Sequence, residues 1–302
     1  MADAPAAELH VDAELVARLL ASQHPDLAGP VEFVANGWDN AIYRLGAAYA
    51  VRLPRRRIAV PLIEHEQRWL PALAARLPVA VPAPVRIGRQ APELGFDAPW
   101  SIVPWFDGAN AATRAPVERA GLAPALAGFV DALHAPAAAG APRNPYRGVP
   151  LAARDDSVRE RFARGRLDAA LGTPAGVRLR EIWDDALAAP AWADAPVWLH
   201  GDLHSGNLVL EASGALSAVI DFGDLTAGDP ATDLATAWLT FEAEGRAEFV
   251  REIEARRAID AATWRRARGW ALVWGSSVVD TVEGDGPIAR LGRFALEQVL
   301  AG

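Results

Sequence analysis

The chain has 302 residues, of which 51% are hydrophobic and 23% are charged, and this composition excludes a disordered or fibrous protein. It contains no cysteine, so neither a disulfide framework nor a thiolate metal site is possible. All 30 of its Lys or Arg residues are arginine, which excludes a lysine nucleophile. The net charge of −8 argues against a nucleic-acid partner and favours neutral or cationic small partners.

The chain also lacks the sequence features of a membrane or exported protein. No apolar run approaches the ~18 residues that a membrane-spanning helix needs. Residues 1–10 lack the basic and apolar regions of a signal peptide. We therefore expect a cytoplasmic protein without a membrane partner, and the oligomeric state stays open.

The first third of the chain reads as a small sheet with two helices. Apolar spacing predicts a first helix over 11–22, in which Leu15, Leu19 and Leu20 share one face. A second helix is expected over about 62–76, before a proline-rich stretch. Short apolar segments bounded by turn residues predict strands over 31–35, 41–45, 49–53, 85–88 and 100–103.

The rest of the chain is mainly helical. Helices are expected over about 115–134, 155–171 and 177–189, and again from about 231 to the end. A β-rich patch interrupts them at 197–199, 208–210 and 216–220, and the stretch 135–150 is expected to be a loop. The pattern predicts an α+β protein with a sheet-rich N-terminal domain over 1–106 and a mainly helical C-terminal domain over 107–302.

Polar residues with the chemistry of phosphoryl transfer follow two of the short strands in the β-rich patch. The first strand leads into His200-Gly-Asp202-Leu-His204, with Asn207 five positions after Asp202, and another strand leads into Asp221-Phe-Gly. One carboxylate that orients a hydroxyl, together with an amide and a second carboxylate that bind Mg²⁺, forms a set suited to magnesium-dependent phosphoryl transfer.

The order H-x-D-x-x-x-x-N followed by D-F-G resembles the catalytic and metal loops of protein-kinase-like enzymes. The His200-Gly-Asp202 form, with the downstream run Gly228-Asp-Pro-Ala-Thr-Asp233-Leu-Ala, is similar to the aminoglycoside phosphotransferase family and its choline-kinase-like relatives. The resemblance covers nearly the whole chain. It implies a protein-kinase-like two-lobed fold, with an antiparallel sheet and one key helix in the N-lobe and a larger helical C-lobe.

The same resemblance implies roles for the motif residues. Asp202 would be the general base, or the acceptor that orients the attacking hydroxyl. Asn207 and Asp221 would bind Mg²⁺ beside the phosphates of ATP or GTP. His200 and Asp233 would support the site, with the imidazole hydrogen-bonded beneath the loop and in reach of Asp233.

In the predicted N-lobe, the resemblance implies a nucleotide site. The segment from Gly37 to Asn40 looks like the family's short nucleotide loop, although it lacks a G-x-G-x-x-G motif. Arg52 stands where protein kinases have a lysine, and a guanidinium can hold two phosphate oxygens. Its expected helix partner is Glu66, with Glu64 as the second candidate.

Residues 104–108, in the run Pro-Trp-Phe-Asp-Gly, resemble the strand-to-linker turn that receives a purine base in these enzymes. Such a base needs one backbone carbonyl and one backbone N–H two residues apart. Proline can accept but cannot donate, so Pro104 and Phe106 keep this pattern possible.

Several readings stay open beside this one. Asp202 and His204 could belong to a two-metal phosphoesterase, although few other histidines are available to complete such a site. Trp270 and Trp274, four residues apart in an apolar helix, are expected to pack in the core. A set of acids could line a cleft for a cationic substrate or form a solvated surface: Glu242, Glu244, Asp280, Glu283 and Asp285.

The nature of the acceptor is open as well. The family resemblance implies an antibiotic such as an aminoglycoside or a macrolide, and it equally covers kinases of choline, homoserine or sugars. A nucleotide-binding protein without activity is the third reading, and the complete set of Asp202, Asn207 and Asp221 argues against it.

Overall fold

The computed structural model describes residues 6–171 and 175–302. The chain forms two compact units. Unit 1 contains residues up to Arg76, residues Ala80–Asp107 and the short segment Asp221–Gly223; unit 2 contains Leu77–Val79, Gly108–Ile220 and Asp224–Gly302. The D-F-G segment therefore belongs to unit 1, although it lies more than a hundred residues after the other parts of that unit. Residues 1–5, part of the stretch that lacks signal-peptide features, lie outside the described residues.

Unit 1 is built on one antiparallel sheet. Its strands are β1 (Val31–Asn36), β2 (Asn40–Leu45), β3 (Tyr49–Pro54), β4 (Arg86–Gly88) and β5 (Trp100–Pro104), in the order β1-β2-β3-β5-β4. In this register Arg52 on β3 pairs with Ile42 on β2 and with Ser101 on β5. Arg52 therefore occupies a central strand, which fixes its backbone on both sides.

Two helices complete unit 1. Helix α1 (Ala13–Gln23) begins at Asp12, whose Oδ1 accepts a hydrogen bond of 2.7 Å from the backbone N–H of Leu15. Its predicted apolar face is confirmed, because Leu15, Leu19 and Leu20 are buried in the core shared with the sheet. Helix α2 (Val60–Ala74) carries Glu66 on its buried face, beside Ile63 and Leu70.

Unit 2 is mainly helical. Its helices are α3 (Ala123–Leu133), α4 (Asp155–Arg164), α5 (Arg166–Leu171), α6 (Ala175–Leu187), α7 (Ala231–Leu234), α8 (Thr236–Thr240), α9 (Ala243–Glu254), α10 (Ala261–Thr281) and α11 (Pro287–Ala301). Short strands β6 (Ala109–Asn110), β8 (Leu208–Leu210) and β9 (Leu216–Val219) form one antiparallel sheet. Strands β7 (Val197–Leu199) and β10 (Thr226–Gly228) form an antiparallel pair.

Two of the predicted helices are interrupted. The segment predicted as a helix over 115–134 begins as a 3₁₀ helix, Pro116–Leu122, and α3 follows it. Pro124 in the first turn of α3 explains the break, because proline provides no N–H for a helix that would run through it. The segment predicted over 155–171 divides at Gly165, whose φ of 71° ends α4.

The α+β class and the protein-kinase-like arrangement are confirmed: an antiparallel sheet with its helices forms unit 1, and a larger set of helices forms unit 2. In the described part of the chain, no helix is both long enough and apolar enough to cross a membrane.

Candidate active site

The carboxylate of Asp233 holds the start of the loop between β7 and β8 through hydrogen bonds to its backbone. Its two carboxylate oxygens accept hydrogen bonds from the backbone N–H groups of His200 and Gly201, each at 2.8 Å. The Nε2 atom of His134 lies 3.2 Å from the same carboxylate. Asp233 is fully buried, so these partners replace the water that its carboxylate loses. Asp233 thus fixes the start of the loop.

The imidazole of His200 is hydrogen-bonded to two backbone groups of the β-rich patch. Nε2 lies 3.0 Å from the carbonyl oxygen of Ile220, and Nδ1 accepts from the backbone N–H of Asp202 at 3.2 Å. The contact with Asp233 comes instead from the His200 backbone. The ring therefore joins the two ends of the β-rich patch and sets the backbone of Asp202.

Three side chains surround the Asp202 carboxylate. The indole Nε1 of Trp274 donates to Oδ1 at 2.8 Å, Nε2 of His204 lies 3.3 Å from Oδ2, and a guanidinium nitrogen of Arg147 lies 3.6 Å from Oδ1. The side chain still keeps 24% of its surface exposed. Burial raises the pKa of Asp202, but His204 and Arg147 outweigh this effect and hold the pKa well below its usual range. The group is therefore an oriented, ionised carboxylate that a substrate can still reach.

Asn207 is oriented by the same loop. Its Nδ2 donates to the carbonyl oxygen of Asp202 at 2.8 Å, which turns the amide so that Oδ1 faces away from that contact. Within residues 6–171 and 175–302, Oδ1 has no hydrogen-bond partner. Carbonyl and carboxylate oxygens are the ligands that Mg²⁺ prefers, and the side chain of Asn207 offers one.

Asp221 has the strained backbone that often marks a functional position. Among the described residues, it is the one non-glycine residue with a positive φ, at 67°. Such a conformation costs of order 1–3 kcal/mol and persists only where the surrounding structure holds it. Its carboxylate is 58% exposed, and Oδ1 lies 3.9 Å from a guanidinium nitrogen of Arg52. The carboxylate of Asp221 therefore contacts Arg52 on one side and is accessible to solvent on the other.

Arg52 is paired with Glu66 rather than with Glu64. Its two terminal nitrogens contact the two carboxylate oxygens of Glu66 at 2.5 and 3.2 Å, in a bidentate arrangement. Burial lowers the pKa of Arg52, but the Glu66 carboxylate more than offsets this, so the pKa lies above its usual value. Glu64 is exposed on the opposite side of α2. The pair keeps a positive charge in place at the centre of the sheet.

The turn between β1 and β2 is closed by backbone contacts. The N–H of Gly37 donates to the carbonyl oxygen of Asn40 at 2.8 Å, and Arg55 donates to the carbonyl oxygen of Gly37 at 3.0 Å. The Oδ1 atom of Asn40 is buried and has no hydrogen-bond partner among the described residues. Burial also raises the pKa of Asp39 in the same turn. The turn therefore has an unused polar atom, as expected of a segment that contacts a ligand.

The end of β5 leaves one of its backbone donors free. Pro104 pairs with Tyr49, and the N–H of Trp105 donates to the carbonyl oxygen of Ala48 at 2.8 Å. The N–H of the following residue, Phe106, has no acceptor in the described part of the chain. Pro104 and Phe106 are both half-buried. A free donor next to a partly covered aromatic ring is compatible with the predicted binding of a purine.

Two residues at Asp202, Trp274 and Arg147, were not predicted as part of its site from the sequence. His204 was considered only as a metal ligand. Trp274, expected in the core, directs its Nε1 to Asp202, whereas Trp270 is buried. Arg147 comes from the loop 135–150, and no motif marks it. His204 stacks near Trp274, with ring centroids 4.6 Å apart. The four-residue spacing of Trp270 and Trp274 predicts that they share one face of a helix, but it does not show which indole contacts a carboxylate.

Two open readings find no support in the described residues. No group of three or more His, Asp or Glu side chains there is arranged to hold a metal ion, as a two-metal phosphoesterase would need. In the acidic set, Asp280 is buried against Arg164, and Asp285 contacts Arg293. These two carboxylates are therefore neutralised within the protein instead of lining a cleft for a cation.

Comparison with known proteins gives the family. Residues 30–270 match the model of the phosphotransferase enzyme family. The fold is similar to that of wild-type aminoglycoside 2'-phosphotransferase-IIIa in its GDP complex, at 18% identity and a TM-score of 0.62 over 96% of this chain and 99% of that one. It is also similar to the ADP-bound aminoglycoside phosphotransferase APH(2'')-Ib, at 17% identity and a TM-score of 0.57, with coverage of 96% and 99%.

A third similar structure is the macrolide 2'-phosphotransferase MphH from Brachybacterium faecium, as the apoenzyme. The identity is 22% and the TM-score is 0.61, over 94% of this chain and 98% of that one. No curated protein matches the sequence. Since the family model covers most of the chain and the fold agrees along its length, the chain belongs to the phosphotransferase enzyme family.

Proposed function

We propose that this enzyme transfers the γ-phosphate of ATP or GTP to a hydroxyl group of a small molecule. The observation that carries the proposal is the Asp202 carboxylate, which is held by Trp274 and His204 and still partly exposed. A carboxylate that is oriented, ionised and accessible is what a hydroxyl nucleophile needs as its hydrogen-bond acceptor. The GDP and ADP in the similar structures support a nucleotide donor.

Asp202 accepts the proton in this proposal. The acceptor hydroxyl donates its hydrogen bond to the carboxylate, and its oxygen attacks the γ-phosphorus. The bond from that phosphorus to the bridging oxygen breaks, the nucleoside diphosphate leaves with the electron pair, and the hydroxyl proton passes to Asp202. Trp274 donates to Oδ1 and the Nε2 of His204 lies 3.3 Å from Oδ2, so both oxygens are held in place while the hydroxyl approaches.

Asn207 and Asp221 would hold Mg²⁺, and their surroundings fit this role. The Oδ1 atom of Asn207 is unpartnered within the described residues, and the Asp221 carboxylate is exposed. When bound, the metal ion would neutralise charge on the phosphate oxygens. His200 and Asp233 position the loop that carries Asn207 and would not touch the metal.

Residues of unit 1 would bind the nucleotide. Arg52, braced by Glu66, would contact phosphate oxygens, and the turn from Gly37 to Asn40 would cover them. The carbonyl of Pro104 and the N–H of Phe106 would hydrogen-bond the purine base. The similar structures contain both GDP and ADP, so adenine and guanine are both donors to test. Because these nucleotides are cytoplasmic, we place the enzyme in the cytoplasm.

The acceptor surface beside Asp202 leaves the class of acceptor open. Aromatic and aliphatic residues line it, among them Leu239, Trp270, Val273 and Trp274, and Arg147 is its cation. The cavity has a volume of about 10 Å³, which is room for one water molecule, so an aminoglycoside, a macrolide and a metabolite are all acceptors to test. An antibiotic acceptor agrees with the similar structures, and a metabolite kinase is the alternative.

Transfer of radiolabel from γ-labelled ATP and GTP tests the proposal. The acceptors would be aminoglycosides, macrolides, choline, homoserine and sugars, each with the wild type and with Asp202→Ala. We expect saturable labelling of one acceptor class that the variant abolishes. Labelling that persists in Asp202→Ala would refute the assignment of Asp202, and Mg-nucleotide binding without labelling of any acceptor would favour a catalytically silent protein.

A further inference from the structure

Unit 2 contains a group of arginines, one of which contacts Asp202. Three arginines contribute to it: Arg147 from the loop before α4, Arg154 at the start of α4, and Arg161 within α4. Arg147 reaches both Asp202 and Asp224, at 3.6 Å in each case. In the described residues, neither Arg154 nor Arg161 has a carboxylate within 4.0 Å. Two guanidinium groups thus lack a carboxylate partner.

Two of these arginines also have a side-chain nitrogen that makes no hydrogen bond to the described residues. The Nε atoms of Arg147 and Arg154 are buried and have no hydrogen-bond partner among the described residues. Arg154 lies over the ring of Tyr146, 5.3 Å from its centroid, which places it beside the loop that carries Arg147. Burial first, and then the charge of Arg147, lower the pKa of Arg154.

Arg161 in α4 belongs to the same group and contacts α10, the helix that carries Trp274. Its Nη1 contacts the carbonyl oxygen of Val273 and the hydroxyl of Ser276, both at 3.2 Å. The side chain of Val273 lines the same surface as Asp202 and Trp274. The nearest acid on that helix, Asp280, is already paired with Arg164. Among the described residues, Arg161 therefore has no carboxylate of its own within hydrogen-bond distance, although the charge of Asp280 acts on it.

We propose that Arg147, Arg154 and Arg161 form a subsite for an oxyanion carried by the acceptor, so that the substrate is an anionic hydroxy compound. This inference rests on the proposed phosphotransfer at Asp202. A carboxylate, sulfate or phosphate ester at the subsite would supply the carboxylate-like partner that Arg154 and Arg161 lack within 4.0 Å in the described part of the chain, while the hydroxyl of the same molecule faces Asp202. A polycationic acceptor would be repelled by the same charges.

Binding of radiolabelled sulfate, measured by equilibrium dialysis with saturating Mg-ADP, tests the subsite without phosphotransfer. We expect one sulfate per chain, bound about tenfold more weakly by Arg154→Gln and by Arg161→Gln, the size expected for loss of a charge-assisted hydrogen bond. Arg159→Gln is the matched control, since Arg159 is on the same helix, half-exposed and already paired with Asp155 and Asp184. Its sulfate affinity should equal that of the wild type.

Competition then distinguishes the sources of the oxyanion. Glycerate, glycerol 3-phosphate and glycerol share a three-carbon skeleton and differ in charge. Displacement of sulfate by glycerate indicates a carboxylate acceptor, displacement by glycerol 3-phosphate indicates a phosphate ester, and glycerol should displace nothing. Absence of bound sulfate, equal affinity in all variants, or displacement by glycerol would overturn the subsite.

The two proposals fail in different ways. Mg-ADP affinity and Asp202-dependent hydrolysis of ATP, measured on the same preparations, report the phosphotransfer site. If these are intact and sulfate does not bind, the anionic acceptor is wrong and the proposed phosphotransfer stands. If sulfate binds while hydrolysis is independent of Asp202, the proposed reaction is wrong instead.

Discussion

The indole N–H of Trp274 donates a hydrogen bond of 2.8 Å to the carboxylate of Asp202, across 72 positions of the sequence. The contact fixes one oxygen of a group that is otherwise held by His204 and Arg147. A carboxylate with one fixed oxygen has fewer orientations in which to meet a hydroxyl. Trp274 is therefore a positioning residue for the proposed reaction.

Replacement of Trp274 by phenylalanine tests this role. Trp274→Phe keeps an aromatic ring and removes the donor, so we expect kcat to fall about tenfold, as for loss of one hydrogen bond to a charged group, with unchanged nucleotide affinity. Trp238→Phe is the control, because the Nε1 of Trp238 is likewise buried without a hydrogen-bond partner among the described residues and Trp238 does not line the cavity at Asp202. An equal loss of kcat in the two variants would show that ring size, not the hydrogen bond, matters.

The buried pair of Arg52 and Glu66 predicts a coupled loss of stability and nucleotide affinity. The side chains are 9% and 2% exposed, so Glu66→Gln leaves a buried guanidinium without its counter-charge. We expect the free energy of unfolding to fall by about 3 kcal/mol in urea titrations. Mg-nucleotide should also bind more weakly, since Arg52 loses its brace. Glu64→Gln, on the exposed side of the same helix, should change neither quantity.

The strained backbone and exposed carboxylate of Asp221 predict that its replacement changes the Mg²⁺ dependence of nucleotide binding. Asp221→Asn keeps a residue that tolerates positive φ, so folding should be preserved while the carboxylate charge is lost. We expect nucleotide affinity to lose its dependence on Mg²⁺ concentration in titrations with and without the metal. Asp97→Asn, an exposed acid in the same unit, is the control. A metal dependence in Asp221→Asn equal to that of the wild type would exclude the proposed ligand role.

The loop that carries Arg147 packs closely against Gly228, so a side chain at position 228 should displace that loop. A Cβ at this position would lie 2.1 Å from the carbonyl oxygen of Gly148, a backbone atom that cannot move without the loop. Gly228→Ala should therefore displace Arg147 and lower the melting temperature by several degrees, as expected for about 1–2 kcal/mol. Gly128→Ala in α3, where a Cβ meets no atom within 4 Å, should leave the melting temperature unchanged or higher.

The sequence predicts the parts of this molecule that depend on local pattern. The sheet of unit 1 and the buried face of α1 follow from apolar periodicity. The motif residues followed from the resemblance, and their roles stay predictions. The partners of Asp202 could not be predicted, because Arg147 and Trp274 come from a loop and a helix far along the chain. The break at Gly165 was also missed, since a glycine within a helical pattern does not show its φ.

The role of Asp202 is the central claim, and a single-turnover measurement tests it most directly. The release of labelled phosphate from γ-labelled ATP or GTP, with water as the acceptor, would be compared between the wild type and Asp202→Asn at saturating Mg-nucleotide. We predict a rate at least about a hundredfold lower in the variant, with an unchanged dissociation constant for Mg-ADP. Equal rates in the two proteins would contradict the account, because the oriented carboxylate would then have no part in the transfer.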